Sequence, residues 1–311
     1  MRLVSVGFIC SCLVGMAGRP LEAQNPSDYG KPRLFVCDSD GNNVKLLVEI
    51  PGAVSQGSPH WGSDGKLMLF DATPQERQYQ LGRIYACAVG GPFKGNVAEM
   101  SYGSCARFSP DMKRIAFHVH GGNPDGLKGG IYVMKDDGTE RTFVCEGVRP
   151  RWTADGKSLV FPGQVMGVGA TVELINTDGS GRRSIINKSY ASVAGVDPSP
   201  DGKEICFIAY PERAYDGVLC RAAVGEGKSE PREIYRGRMG YGPSWSADGR
   251  QIGLWVMDEM ANRHLAVIDA DGKAPPKKLA NQEGTRFNSD IAWSPDGQRI
   301  IFSSDREFPA Q

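Results

Sequence analysis

The segment Trp293-Ser294-Pro295-Asp296-Gly297 has five earlier counterparts in this 311-residue chain. They are Trp61-Gly62-Ser63-Asp64-Gly65, Phe108-Ser109-Pro110-Asp111-Met112, Trp152-Thr153-Ala154-Asp155-Gly156, Pro198-Ser199-Pro200-Asp201-Gly202 and Trp245-Ser246-Ala247-Asp248-Gly249. Their last positions, 65, 112, 156, 202, 249 and 297, lie 47, 44, 46, 47 and 48 residues apart. So regular a period marks a repeat architecture, in which each unit buries its apolar face against its neighbours. Each copy runs on into a β-rich stretch, as in Leu67-Met68-Leu69-Phe70, Ile115-Ala116-Phe117, Leu159-Val160-Phe161 and Ile300-Ile301-Phe302. The pattern reads as strand, tight turn, strand. Asp bonds its own neighbouring backbone and Gly supplies a positive φ without a steric penalty, so the repeated aspartates are turn-formers rather than catalytic acids.

A second hairpin lies between the copies: Ile131-Tyr132-Val133-Met134 leads to Asp137-Gly138, and Leu265-Ala266-Val267-Ile268 to Asp271-Gly272. Each period therefore holds four short strands, the content of one propeller blade. With 40 Gly and 20 Pro and no long amphipathic helical pattern, the chain reads as all-β. It opens on a second half-motif, Leu34-Phe35-Val36-Cys37-Asp38-Ser39-Asp40-Gly41, and closes on a first half-motif at 291–302. Together these halves make one blade. The expectation is a six-bladed β-propeller over residues 34–304, closed by a blade shared between the N- and C-terminal hairpins, which removes exposed sheet edges. An open solenoid would instead carry distinct polar caps. The motif aromatics Trp61, Trp152, Trp245 and Trp293 belong to the core between blades, each ring burying on the order of 150–250 Å², about 4–6 kcal/mol as an upper bound. Pro198 replaces the aromatic in the fourth copy, and looser packing is expected there.

The tandem Trp-Ser-Pro-Asp-Gly segments followed by Ile-x-Phe resemble the WD40-like repeats of the TolB propeller, and are similar to those of prolyl oligopeptidase relatives. The resemblance implies the propeller fold over nearly all of the mature chain and, from TolB, protein binding at one mouth of the ring. TolB carries an α/β domain ahead of its propeller, for which the residues before Leu34 leave no room. Prolyl oligopeptidase relatives append a hydrolase domain, and no Gly-x-Ser-x-Gly nucleophile elbow occurs here, which argues against a serine peptidase.

Arg2 followed by the apolar run 3–17, then Pro20 and Ala23, reads as a secretory signal peptide over 1–23, cut after Ala23, with a linker over 24–33 and a tail over 305–311. The apolar run is too short for a membrane span. Ile9-Cys10-Ser11-Cys12 weakly resembles a lipoprotein cleavage box. The expected location is periplasmic or secreted, where Cys37, Cys87, Cys105, Cys145, Cys206 and Cys220 meet an oxidising compartment. Most sit in apolar runs and read as buried free thiols; Cys206 with Cys220, which a hairpin would bring face to face, is the first pair to test. Lys plus Arg equal Asp plus Glu at 36 each, so the basic footprint needed to hold a phosphate backbone is missing and nucleic acid is not an expected partner. A monomer without cofactor is expected, with a protein or cell-envelope ligand as partner.

The residue before each motif aromatic is His60, Arg107, Arg151, Asp197, Ser244 or Ala292. Equivalent positions in a ring share a radius, so these form a layer at the channel, where an ion pair such as Arg151 with Asp197, or contact with an anionic ligand group, accounts for the charges. Loops entering the first motifs cluster at one mouth and carry Tyr102, Tyr190, Arg238, Tyr241, Arg286 and Phe287, residue types enriched at binding hot spots. His118 and His120 point to one side of a strand and are weak metal candidates, without a third ligand at recognisable spacing. The alternative function is a polysaccharide-active propeller enzyme, similar to the lyases that cleave pectin fragments, with a channel metal site; His60 and His264 would then have to converge.

Overall fold

A computed structural model of the chain describes residues 31–90, 94–165, 169–212, 216–282 and 288–306. Strands make up 54% of them, and a single 3₁₀ turn, Tyr79–Leu81, is the only named helical element among them. No helix of the described residues is long and apolar enough to cross a membrane.

The strands follow the repeat. β1 (Arg33–Asp38) and β2 (Lys45–Val48) precede a four-stranded antiparallel sheet of β3 (Ser55–Trp61), β4 (Leu67–Thr73), β5 (Arg83–Ala88) and β6 (Val97–Tyr102). Two further sheets have the same meander: β7 (Ser104–Phe108), β8 (Arg114–Val119), β9 (Gly130–Lys135) and β10 (Thr142–Cys145), then β11 (Arg151–Trp152), β12 (Ser158–Val165), β13 (Gly169–Asn176) and β14 (Arg183–Ser184). Next comes a seven-stranded sheet of β15 (Ser192–Pro198), β16 (Glu204–Tyr210), β17 (Asp216–Ala223), β18 (Arg232–Trp245), β19 (Gln251–Met257), β20 (Arg263–Asp269) and β21 (Lys277–Lys278). Its length comes from β18, which pairs with β17 through residues 232–238 and with β19 through residues 239–245. The last sheet takes strands from both chain ends, in the order β2, β1, β23 (Arg299–Ser304), β22 (Asn288–Trp293). There β1 pairs with β23 from Arg33 opposite Ser304 to Asp38 opposite Arg299.

Turn chemistry explains the regularity. The motif Asp accepts the backbone N–H two residues on, at 2.9–3.2 Å in all six copies. In five copies the preceding Ser or Thr hydroxyl donates to the same carboxylate, which holds Asp111, Asp155, Asp201, Asp248 and Asp296 below the usual range. The motif glycines have φ of +66 to +71°. Met112 occupies this position in the second copy at φ +61°, and Gly62 takes the hydroxyl position in the first. These two departures touch: a Cβ on Gly62 would lie 2.5 Å from the Met112 terminal methyl. Three and five residues beyond the turn, apolar side chains enter the core, and Phe70, Phe117, Phe161, Phe207 and Phe302 are among the largest fully buried side chains.

The motif aromatics Trp61, Phe108, Trp152, Trp245 and Trp293 are all buried, whereas Pro198 is half-buried. All six described cysteines are buried and free. The register rules out Cys206 with Cys220, the first pair to test: Cys206 lies opposite Arg221 and Cys220 opposite Phe207. A one-residue offset sends the two thiols to opposite faces of the sheet and into different core clusters.

Candidate channel site

The first strands of the sheets do not run straight to their aromatics. Register shifts fall between Gly57 and His60, Ser104 and Arg107, Val193 and Gly195, Gly240 and Ser244, and Ser289 and Ala292. Seven residues before the last motif position, Ser58, Cys105 and Asp290 within these shifts, and Arg149 just ahead of β11, hold left-handed backbone at φ +51 to +55°. Non-glycine residues pay of order 1–3 kcal/mol for such a conformation, and bulges of this kind re-aim side chains. Ser58, Cys105, Arg149, Asp290 and Gly242, the glycine at the same repeat position, line one cavity together with Arg107 and Arg151. Its volume is about 10 Å³, the scale of one water molecule, so it admits a terminal functional group rather than a whole ligand.

Of the predicted layer, His60, Arg107, Arg151 and Asp197 come within electrostatic reach of one another. Arg151 Nε donates to Asp197 Oδ1 at 3.2 Å, and Asp197 Oδ2 accepts the Trp245 backbone N–H at 2.9 Å. Burial raises the Asp197 carboxyl above its ordinary value despite these partners. Arg107 is buried, and its Nη1 donates to the carbonyls of Ser58 at 2.9 Å and Ala106 at 2.8 Å. Among the described residues no carboxylate lies within the 4.0 Å ion-pair distance of this guanidinium. Burial, and then the neighbouring Arg151 cation, lowers its proton affinity. Burial followed by the Arg107 and Arg151 charges keeps His60 neutral, well below the usual imidazole range, and His60 Nδ1 is buried without a hydrogen-bond partner.

Sequence reasoning missed Asp71 on β4, whose Oδ2 accepts the Cys105 backbone N–H at 2.8 Å. Burial raises this carboxyl, with a smaller push from Asp290. A Cβ on Gly57 would sit 2.9 Å from Asp290 Oδ2, so the glycine permits this close approach. Asp71 hides inside an apolar run; the left-handed residues share one repeat position, seven before each motif end, but no common residue type.

His118 and His120 do lie side by side, with ring centroids 4.2 Å apart. Burial, then His120, then Arg149 lowers the His118 imidazole to about 3. No group of three His, Cys, Asp or Glu side chains able to hold a metal ion occurs among the described residues. His264 instead bonds Asp258 at 2.8 Å; against the cost of burial, bonds from His264 and Asn262 hold that carboxyl down to about 2.

Of the predicted mouth residues, Tyr102 is half-buried and accepts a bond from Arg83, and Arg238 reaches the Asp258 carbonyl at 3.4 Å. Tyr190 is corrected: it is buried, edge-on to Phe207, with its hydroxyl 3.7 Å from Cys220 Sγ, and so belongs to the core. Arg286, Phe287 and the side chain of Tyr241 lie outside the described residues.

The family model described as TolB beta propeller domain matches residues 21–284. Putative TolB from Agrobacterium tumefaciens superposes with a TM-score of 0.68 at 19% identity, covering 90% of this chain and 99% of that one. TolB from Acinetobacter baumannii gives 0.66 at 17% identity, covering 91% of this chain and 62% of that one. An uncharacterized peptidase, YuxL, of Bacillus subtilis (strain 168) is 22% identical over 226 residues, 64% of this chain and 29% of the peptidase. The chain thus spans less than a third of that peptidase, and at these identities the likeness carries the fold alone.

Proposed function

The chain belongs to the TolB β-propeller domain family, and we propose that it works as an exported binding or scaffolding module that holds an anionic group of a protein or cell-envelope ligand at its channel. In this reading residues 1–23 are a leader, the mature chain acts as a monomer in the periplasm or outside the cell, and its strands form six blades in a closed ring. Support for closure comes from the sheet shared by both chain ends. It comes also from Arg299, which lies 4.9 Å over Trp61 as Arg114 lies 4.7 Å over Trp152, although only the second pair joins consecutive repeats.

The single observation behind the binding site is Arg107. A guanidinium taken out of water without an ion-pair partner is costly, and an incoming carboxylate or phosphate offsets that cost with charge-assisted bonds. Arg151, half committed to Asp197, and Arg149 stand beside it. The ligand enters from the mouth around Tyr102 and Arg238. The test is capture of partners from native envelope extract by the wild type and by an Arg107→Ala, Arg151→Ala double variant. Selective loss in the variant supports the site. Unchanged affinity rejects it, and Arg107→Gln, which leaves the Arg151–Asp197 pair intact, separates lost binding from lost folding.

A further inference from the structure

Three of the four motif tryptophans have a guanidinium stacked over the indole. Arg299 lies 4.9 Å from the Trp61 ring centroid, Arg114 4.7 Å from Trp152, and Arg221 5.2 Å from Trp245. Arg114 and Arg299 come from the same repeat position, two residues beyond the preceding turn. At the Trp245 seam that position is Glu204, which pairs with Arg221 on the adjoining strand and so supplies the cation at one remove. Where the motif aromatic is Phe108 or Pro198, the position holds Leu67 or Ser158. A guanidinium therefore accompanies tryptophan at three seams; before Trp293 the position is Gln251, and among the described residues no cation lies over that ring.

The consequence is a groove of about 530 Å³ lined by Trp293 and Gln251, within the size range of ligand sites. The groups that receive the guanidinium at the Trp152 seam are the Gly156 carbonyl, at 2.7 Å from Arg114 Nη2, and the Thr177 hydroxyl, at 3.3 Å from Nη1. Their repeat equivalents are Gly297 and Ser39, the latter placed by its Asp-Gly turn as Thr177 is by Asp178-Gly179, and both line the groove. Asp40, Asp248 and Asp296 add three carboxylates to the wall, against the two ammonium groups of Lys277 and Lys278.

We propose that this groove is a guanidinium site completed in trans, and that its occupant is an arginine side chain of a polypeptide partner stacked on Trp293. The protein stacks a guanidinium on a motif indole three times, and at the Trp152 seam a carbonyl and a hydroxyl at the ring's edge also accept its planar fork of donors. Lysine, a point charge without the fork, fits this arrangement less well. The site is separate from the channel cavity and shares none of its lining residues, so it stands or falls independently of the proposed channel site.

The test titrates an acetyl-Gly-Arg-Gly-amide peptide into the full chain while following the indole N–H resonance of Trp293. The expected result is a saturable shift with Kd of about 1–10 mM, the strength of one such contact. Gln251→Arg fills the groove in cis and weakens binding at least about tenfold, while Gln251→Glu, copying Glu204, tightens it several-fold. Both variants change an edge of the seam and not its core, and thermal melts check that they fold. Absence of a saturable shift with the wild type and Gln251→Glu overturns the proposal. So does equal affinity in Gln251→Arg or equal affinity for the lysine peptide. Binding of free arginine but not of the blocked peptide overturns the polypeptide source.

Discussion

The seam at Trp152 and the seam at Trp61 are built from the same motif, but only the first satisfies all of its polar groups. Trp152 Nε1 donates to the Arg107 carbonyl at 2.9 Å, and Trp245 Nε1 makes the equivalent bond to Asp197 at 3.1 Å. Trp293, on β22 of the sheet that unites the chain ends, and Trp61, on β3 of the following sheet, leave their buried indole N–H groups without a partner among the described residues. Stacking of Arg299 on Trp61 shows that packing survives across the chain ends while hydrogen-bond geometry does not. Burial of an apolar ring is non-directional and tolerates small shifts, whereas an N–H to carbonyl bond weakens steeply with misalignment. Each unsatisfied donor costs about 1–3 kcal/mol, so the terminal sheet is held mainly by area and by its own strand pairing.

The comparison is broken most directly by removing the pairing. A chain lacking residues 1–50, and with them β1 and β2, exposes β23 along its length, and we expect loss of a single cooperative urea transition together with concentration-dependent association in light scattering. Survival of one sharp transition would mean the terminal sheet is dispensable. A smaller effect sharpens the contrast: Trp152→Ala and Trp61→Ala should each cost about 3–5 kcal/mol in urea denaturation. Trp152→Phe should cost about 1–2 kcal/mol more than Trp61→Phe, because only Trp152 loses a hydrogen bond.

Acidity should separate the same seams. His60, next to Trp61, is held neutral in the fold while its unfolded counterpart takes up a proton below the ordinary value of 6.5. The folded value is depressed, so the stability is fully present above 6.5 and falls as the pH drops below it, by up to about 1.4 kcal/mol per pH unit for one proton. Protection of β3 amides from hydrogen exchange should decline between pH 7 and 5, and His60→Gln should flatten that decline. The smallest effect concerns the Phe108 seam. Gly62→Ser alone should destabilise by pushing on Met112, and Met112→Gly alone should lose contact while relieving its backbone strain. Together they restore the common turn, with a coupling of about 1 kcal/mol in favour of the pair in a thermal-melt cycle.

Much of this was legible before any coordinates, and the reasons are local. An Asp-Gly pair reports a turn because the residues bonding it are two positions away, and Phe70 or Phe302 report a core strand because alternation has a period of two. Complementary half-motifs placed the chain ends in one sheet, and the repeat position shared by Arg107, Arg151 and Asp197 matches their electrostatic proximity. What escaped needed knowledge across strands. Bulges shift the register without changing composition, so Ser58, Cys105 and Asp290 left no apolar pattern to read. Tyr190 looked like a mouth residue because its burial depends on Phe207 and Cys220, distant in sequence. Cys206 and Cys220 looked like partners because the hairpin joining them is plain, while its one-residue register is not.

The uninterrupted run of β18 from Arg232 to Trp245 has a mechanical corollary. A connecting loop lets two plates pivot, but a strand hydrogen-bonded to one plate along its first half and to the other along its second transmits torsion directly. The plates before and after β18 are thus welded and twist as a unit, so any widening of the molecule under load must be taken up at other junctions, first of all where the indole donors go unmet.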